Sequence, residues 1–328
     1  MAGKMTILLA TNGQGTFRSA DSGKSWTRSN TDHGMHSDAV VRALLTDPHK
    51  PSVVLAGTDQ GLYRSDDAGI HWKHLDTPLT PYSVWNLAQN PKDPKIIYAG
   101  TGTPSKTAIF RSDDGGKSWK KLPVAVPDTC PNVGIPRFTG LAVDPVDPNQ
   151  IWAGIEVDGV RYSKDGGESW QKINGVITNP DVHSVAVVPG PPKTIVIVVN
   201  NGIFTSINEG KTWKGALAKE AFPMNYPRCI ATQPGHSKTV FIGLGDYTPG
   251  STGTIIRSKD AGKTWENLTL SQKPNTAIWA IGMHEDNPKI IFAASRYGDL
   301  YRSDDGGDSW AKEWREFSEA TAVTWVPV

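Results

Sequence analysis

Arg42, Trp85, Thr139, His183, Arg228, Trp279 and Thr321 fall at one register of a recurring apolar segment. In six of the seven, a proline follows six residues later. A core strand favours Val or Leu at such a position. Two Arg, one His and two Trp make a binding set instead. Arg grips a carboxylate or phosphate with two parallel N–H donors. Trp offers a flat face to a sugar or an aromatic ring. The competing structural reading is that these side chains fill a channel and pair with neighbours.

Carboxylates and tyrosines fall in the connections next to this register. Glu156 and Asp158 sit two residues apart, and Asp246-Tyr247 and Arg296-Tyr297 lie in equivalent loops. Two carboxyl groups across a cleft are what glycoside hydrolysis uses, one as acid and one as base or nucleophile. A lyase would use His183 as base, Tyr247 or Tyr297 as acid, and an Arg to neutralise a substrate carboxylate. The catalytic candidates are therefore Glu156, Asp158, His183, Asp246 and Tyr247. The ligand-binding candidates are Arg42, Trp85, Arg228, Trp279, Arg296 and Tyr297. No cofactor is expected. His33, His36 and His183 with Glu156 or Asp158 form a donor set that a divalent metal at the mouth would use. The structural alternative for the carboxylates is that they keep the loops soluble.

The elements that would position these residues follow from an eight-residue phrase, S-x-D-x-G-x-[ST]-W. It occurs seven times with small departures and closes on Trp26, Trp72, Trp119, Trp170, Trp213, Trp265 and Trp310. Asn208 replaces Asp in the fifth copy, and His71 replaces Ser or Thr in the second. The tryptophans lie 43 to 52 residues apart. A period of about 40–50 residues marks a radial array of blades. Within one repeat, apolar runs at 40–45, 53–57, 61–65 and 72–75 are bounded by Pro, Gly and Asp, as strands are. Residues 1–328 are therefore expected to form one all-β, seven-bladed propeller of four-stranded antiparallel blades. The chain starts on a second strand at 6–10 and ends on a first strand at 320–327. The C-terminal strand should join the N-terminal blade and close the ring, which removes open sheet edges. The phrase itself reads as scaffold, with Asp holding the turn, Gly supplying positive φ and Trp burying a ring.

The phrase resembles the Asp-box, or BNR, repeat of sialidases, xyloglucan-cleaving glycosidases, sortilin-type receptors and a photosystem II assembly factor. That resemblance implies the propeller fold and a range of functions, from glycosidase to binding scaffold. The Phe/Tyr-Arg-Ile-Pro motif of sialidases is absent, and Ile135-Pro-Arg137 does not replace it. The xyloglucan-cleaving enzymes carry two propellers in tandem, and this chain carries one. The assembly factor is a single seven-bladed propeller.

Loop lengths separate the two faces. The phrases and the short Pro turns make one uniform face. The other face carries the long connections 28–38, 123–136, 215–227, 101–108 and 246–254, and individual loops on a rigid scaffold are where binding concentrates. The 328 residues carry a formal charge of +1. That gives no electrostatic case for nucleic acid. Two cysteines cannot build a disulfide framework. No run of about 18 apolar residues exists to cross a membrane. Met1-Ala-Gly-Lys4 leads into the strand at 6–10 without room for a signal peptide, so a cytoplasmic location is expected, or a secreted or periplasmic one if a signal was removed. The leading expectation is a glycosidase- or lyase-like enzyme acting on a small anionic or carbohydrate-like ligand at the loop-rich mouth. A protein-binding scaffold and a lectin-like sugar binder using Trp85 and Trp279 are the alternatives.

Overall fold

Each repeat folds into one four-stranded antiparallel sheet because its second strand is apolar on both sides. Val54–Thr58, Ile97–Gly102, Ile151–Ile155, Thr194–Val199, Val240–Gly245 and Ile291–Ser295 are buried at every residue. A strand buried on both faces must be covered by another sheet on each side, and a ring of blades supplies that. The computed structural model describes residues 4–173, 177, 179–235 and 238–328. The Met1-Ala-Gly start lies outside them. The strands form seven four-stranded sheets, and Ala320–Pro327 pairs with Met5–Thr11 to complete the first blade. The expected ring closure is therefore present. Outer strands such as Thr27–Arg28 and Lys120–Lys121 are only two residues long and exposed, which keeps the blade edges too short for pairing with another chain. Among the described residues the one α-helix is the single turn Ala218–Ala221, in a long connection.

The blades interlock through apolar clusters, one between each neighbouring pair. Between the first and second blades, Leu8 and Ala10 meet Val54, Ala56, Tyr63 and Trp72. The approach is close at Gly154, where an added Cβ would stand 2.6 Å from Val182 of the next blade. That contact fixes the position of the residue after it, His183.

The repeated phrase performs the structural role expected of it. In the third blade, Asp114 accepts from the Ser118 amide at 2.9 Å and from the Ser118 hydroxyl at 2.6 Å, and the Gly116 amide donates to Ser112 Oγ. Trp119 is buried and its indole N–H donates to the Gly116 carbonyl. Asn208 bridges the same two groups, accepting from the Thr212 amide through Oδ1 and donating from Nδ2 to the Thr212 hydroxyl. The hydrogen bonds from Ser118 pull the Asp114 carboxyl down to about 2.

A further fastening joins phrase to phrase. Arg18 Nε donates to the Ala68 carbonyl at 2.9 Å, Arg111 Nη1 to Gly166 at 2.9 Å and Arg257 Nη1 to Gly306 at 3.0 Å. Each accepting residue directly follows the Asp of the next blade's phrase. Arg302 makes the same contact with Ser22, at 3.4 Å, across the ring closure. These carbonyls are presented because the residue after the Asp has positive φ, for example Ala68 at 56°.

Candidate functional site at the channel mouth

The inner strand of every blade contains a β-bulge, and the bulged residue is the same one each time. Pairing jumps from Val41 to Ala43, from Val84 to Asn86 and from Phe138 to Gly140. It jumps likewise from Val182 to Ser184, Pro227 to Cys229 and Ile278 to Ala280. In the first blade the skipped residue is Thr321. The seven skipped residues are thus Arg42, Trp85, Thr139, His183, Arg228, Trp279 and Thr321. A bulge frees one residue from the ladder and re-aims its side chain. All seven line one cavity of about 540 Å³ at the mouth of the channel. That volume lies in the range of small-ligand sites, roughly 300–1,000 Å³.

The seven side chains divide by role. Thr139 donates to the Val182 carbonyl, Thr321 to the Val41 carbonyl, and His183 Nδ1 lies 2.8 Å from the Pro227 carbonyl. Each partner carbonyl belongs to the residue just before the next blade's bulge. These three contacts therefore tie neighbouring inner strands together. The other four side chains build two matching clusters. Arg42 lies 3.9 Å and Arg137 4.5 Å from the centre of the Trp85 ring. Across the cavity, Arg228 lies 4.0 Å and Arg296 4.6 Å from the centre of the Trp279 ring. Cation–π attraction holds each stack. In both clusters the second arginine is ion-paired, Arg137 with Glu156 and Arg296 with Glu319. Arg42 and Arg228 have no carboxylate partner among the described residues. Arg42 has only a 3.3 Å contact from Nε to Ser83 Oγ. Burial, then repulsion from Arg137 and Arg296, pushes the Arg42 guanidinium down to about 10. Burial is also the main cause that lowers Arg296.

Between the clusters, in the fifth blade, stands His183. Its Nδ1 faces a carbonyl, which only accepts, so Nδ1 carries a proton. Its Nε2 lies 3.5 Å from Asp181 Oδ2. The ring packs at 4.9 Å on Tyr226. Burial works to raise the Asp181 carboxyl, but the His183 contact and the charges of His183, Arg228 and Arg137 hold it below its ordinary value. Asp181 Oδ1 is buried and makes no hydrogen bond.

The remaining candidates are placed as follows. Glu156 and Arg296 line the cavity, both ion-paired. Asp158 is turned to Arg161 and Lys172 and does not line it. Asp246 caps its own loop, accepting from the Tyr247 and Ser251 amides and from the Ser251 hydroxyl. Tyr247 and Tyr297 are exposed at the rim and do not line the cavity. His33 is held by Asn30, and His36 stands against Tyr63. Among the described residues, no three His, Cys, Asp or Glu side chains are grouped to hold a metal. No helix among the described residues is long and apolar enough to cross a membrane.

Sequence reasoning did not select Arg137, Asp181, Tyr226 and Glu319. All four stand two residues before a bulged position, at Thr139, His183, Arg228 and Thr321. The repeat alignment that gave the first level thus contained a second one, a step nearer the mouth.

Comparison with known proteins agrees with the repeat. A family model described as BNR/Asp-box repeat matches residues 161–172, and one described as Sortilin, neurotensin receptor 3, matches residues 14–132. Xyloglucanase Xgh74A of Acetivibrio thermocellus is 27% identical over 276 residues, covering 71% of this chain and 32% of that protein. The chain spans about a third of the length of the curated relatives it matches over most of its own length. The structure of the GH74 xyloglucanase from Xanthomonas campestris superposes with a TM-score of 0.64 at 20% identity, over 83% of this chain and 45% of that one. The structure of YCF48 bound to D1 peptide superposes with a TM-score of 0.57 at 14% identity, over 96% of this chain and 85% of that one. The chain is a seven-bladed propeller built from Asp-box repeats.

Proposed function

We propose that this propeller is a carbohydrate-active protein that takes a carboxylate-bearing sugar in the mouth cavity and acts on it as a glycosidase- or lyase-like enzyme. The observation that carries this reading is the state of Arg42 and Arg228. Both line the cavity, both stack on a Trp, and neither has a carboxylate partner among the described residues. A guanidinium left without an anion in a half-buried site is a ready receptor for one. The similarity to xyloglucanases supports a carbohydrate ligand. Four arginines around the cavity favour an acidic sugar over a neutral one, and they already occupy space over the Trp rings that a neutral sugar would stack on.

The proton-transfer group in this reading is the His183–Asp181 pair, with Tyr226 against the imidazole. For elimination, an arginine on the substrate carboxylate stabilises the charge left when the His183–Asp181 pair takes the proton from the adjacent carbon. The C–O bond to the leaving sugar breaks as its oxygen takes a proton from the Tyr226 hydroxyl. A hydrolase of the two-carboxylate type needs a second free carboxyl group. Glu156, Asp158 and Asp246 are each engaged elsewhere, so Asp181, with its unpartnered Oδ1, is the carboxylate best suited to chemistry. Among the described residues no two free carboxylates face each other, which favours, as the second reading, a non-catalytic scaffold holding a carboxylate-terminated peptide on the same arginines.

The test is incubation with polygalacturonate, hyaluronan and xyloglucan. Unsaturated, ultraviolet-absorbing ends would mark elimination, and saturated reducing ends would mark hydrolysis. Asp181→Asn should keep ligand binding and lose turnover by about 100-fold or more. Turnover of xyloglucan alone, or binding of a carboxylate-terminated peptide without binding of any acidic sugar, would refute the reading.

A further inference from the structure

The two arginine–tryptophan clusters share one composition, although Arg137 comes from the segment before the fourth blade's inner strand and Arg296 from the loop after the seventh blade's second strand. Each has a bulged Trp, an ion-paired arginine over its ring (Arg137 or Arg296), and an unpaired arginine from the preceding blade (Arg42 or Arg228). The first cluster is centred on the third blade and the second on the seventh, four of seven steps around the ring. They therefore face each other across the cavity rather than lying side by side. A ligand with one anionic group would satisfy one unpaired guanidinium and leave the other in a half-buried, like-charged setting.

We infer that the ligand carries two anionic groups, one for Arg42 and one for Arg228, so that the substrate class is an acidic oligosaccharide spanning two charged sugar units. This inference rests on the reading of the mouth as a carboxylate-sugar site and sharpens it. The ring supplies the spacing: each charge is met by a guanidinium pre-set against a Trp face. The ion-paired arginines contribute position and field, since their own charges are balanced by Glu156 and Glu319. Thr321 and Thr139 stand in the two gaps between the clusters and are tied to neighbouring carbonyls, which leaves the two clusters as the places where an anionic group is met.

Calorimetric titration of the whole chain with galacturonate, digalacturonate and cellobiose tests this. Digalacturonate should bind about tenfold or more tighter than galacturonate. Arg42→Met and Arg228→Met should each reduce digalacturonate binding to the level of galacturonate, and Met keeps the apolar contact with the Trp ring. The Lys variants at both positions, which keep the charge and are the safer folders, should lose less. Equal affinity for the mono- and diuronate, or dependence on only one of the two arginines, would overturn the two-charge inference while leaving the acidic-sugar reading in place. Preference for cellobiose over both uronates, or binding of neither uronate, would overturn that reading and the inference with it.

Discussion

Arg42→Met should stabilise the protein while weakening digalacturonate binding to the level of galacturonate, and the two effects together separate a binding role from a packing role. Burial and the charges of Arg137 and Arg296 push the Arg42 guanidinium from its ordinary value down to about 10. At about 1.4 kcal/mol per pKa unit, holding that charge in the fold costs on the order of 3 kcal/mol. The stack on Trp85 returns about 1 kcal/mol, and the long contact to Ser83 about 1 kcal/mol at most. The net cost of the native residue is therefore about 1 kcal/mol. Met retains contact with the indole through its thioether. The variant should melt roughly 2 °C higher at neutral pH. The sign follows from the lowered value: the cost is fully present below about pH 10 and fades as Arg42 loses its proton above it. The stability difference from the native protein should thus be flat through neutral pH and shrink in strong alkali. Differential scanning calorimetry and uronate titration on one sample read both effects. A variant that melts several degrees lower and binds digalacturonate as tightly as the native protein would show that Arg42 is a packing element, and the reasoning would fail.

Two further outcomes concern the scaffold. Ala68 holds positive φ of 56° after the Asp of its phrase, so Ala68→Gly should raise urea-unfolding stability by about 0.5–1 kcal/mol. The opposite change next door, Gly69→Ala, would put a Cβ 2.6 Å from Leu8 at φ of 82° and should destabilise, and equal effects of the two would contradict the turn geometry. Asp114 titrates near 2 in the fold because Ser118 donates to it twice, so its contribution is present above about pH 4 and lost as pH falls towards 2. Asp114→Asn, which copies native Asn208, should fold normally at pH 7 and lose less stability on acidification than the native chain; an unchanged acid midpoint would argue that other groups dominate.

The sequence determined the ring and its closure, because a repeated turn phrase and a period of apolar runs are local signals that each blade restates. It also determined the register of Arg42, Trp85, Thr139, His183, Arg228, Trp279 and Thr321, since all hang at a fixed distance from the same turn. The bulge that gathers these seven side chains into one cavity was not legible, but its consequence was. What only the tertiary structure decided is which charges are free. Arg137 precedes Thr139 in sequence yet pairs with Glu156 on the adjoining loop of the same blade and stacks on Trp85 of the blade before it. Arg42 and Arg228 are left without an ion-pair partner because, among the described residues, no carboxylate comes within ion-pair distance of either. Asp158 and Asp246, read from sequence as mouth carboxylates, were decided by contacts within their own blade and loop. Ion pairing depends on a few ångströms between side chains that lie 3 residues apart in Asp158–Arg161 and 51 apart in Arg257–Asp308. A repeat specifies which level a residue occupies; the packing of one blade against the next specifies whether its charge is already spoken for.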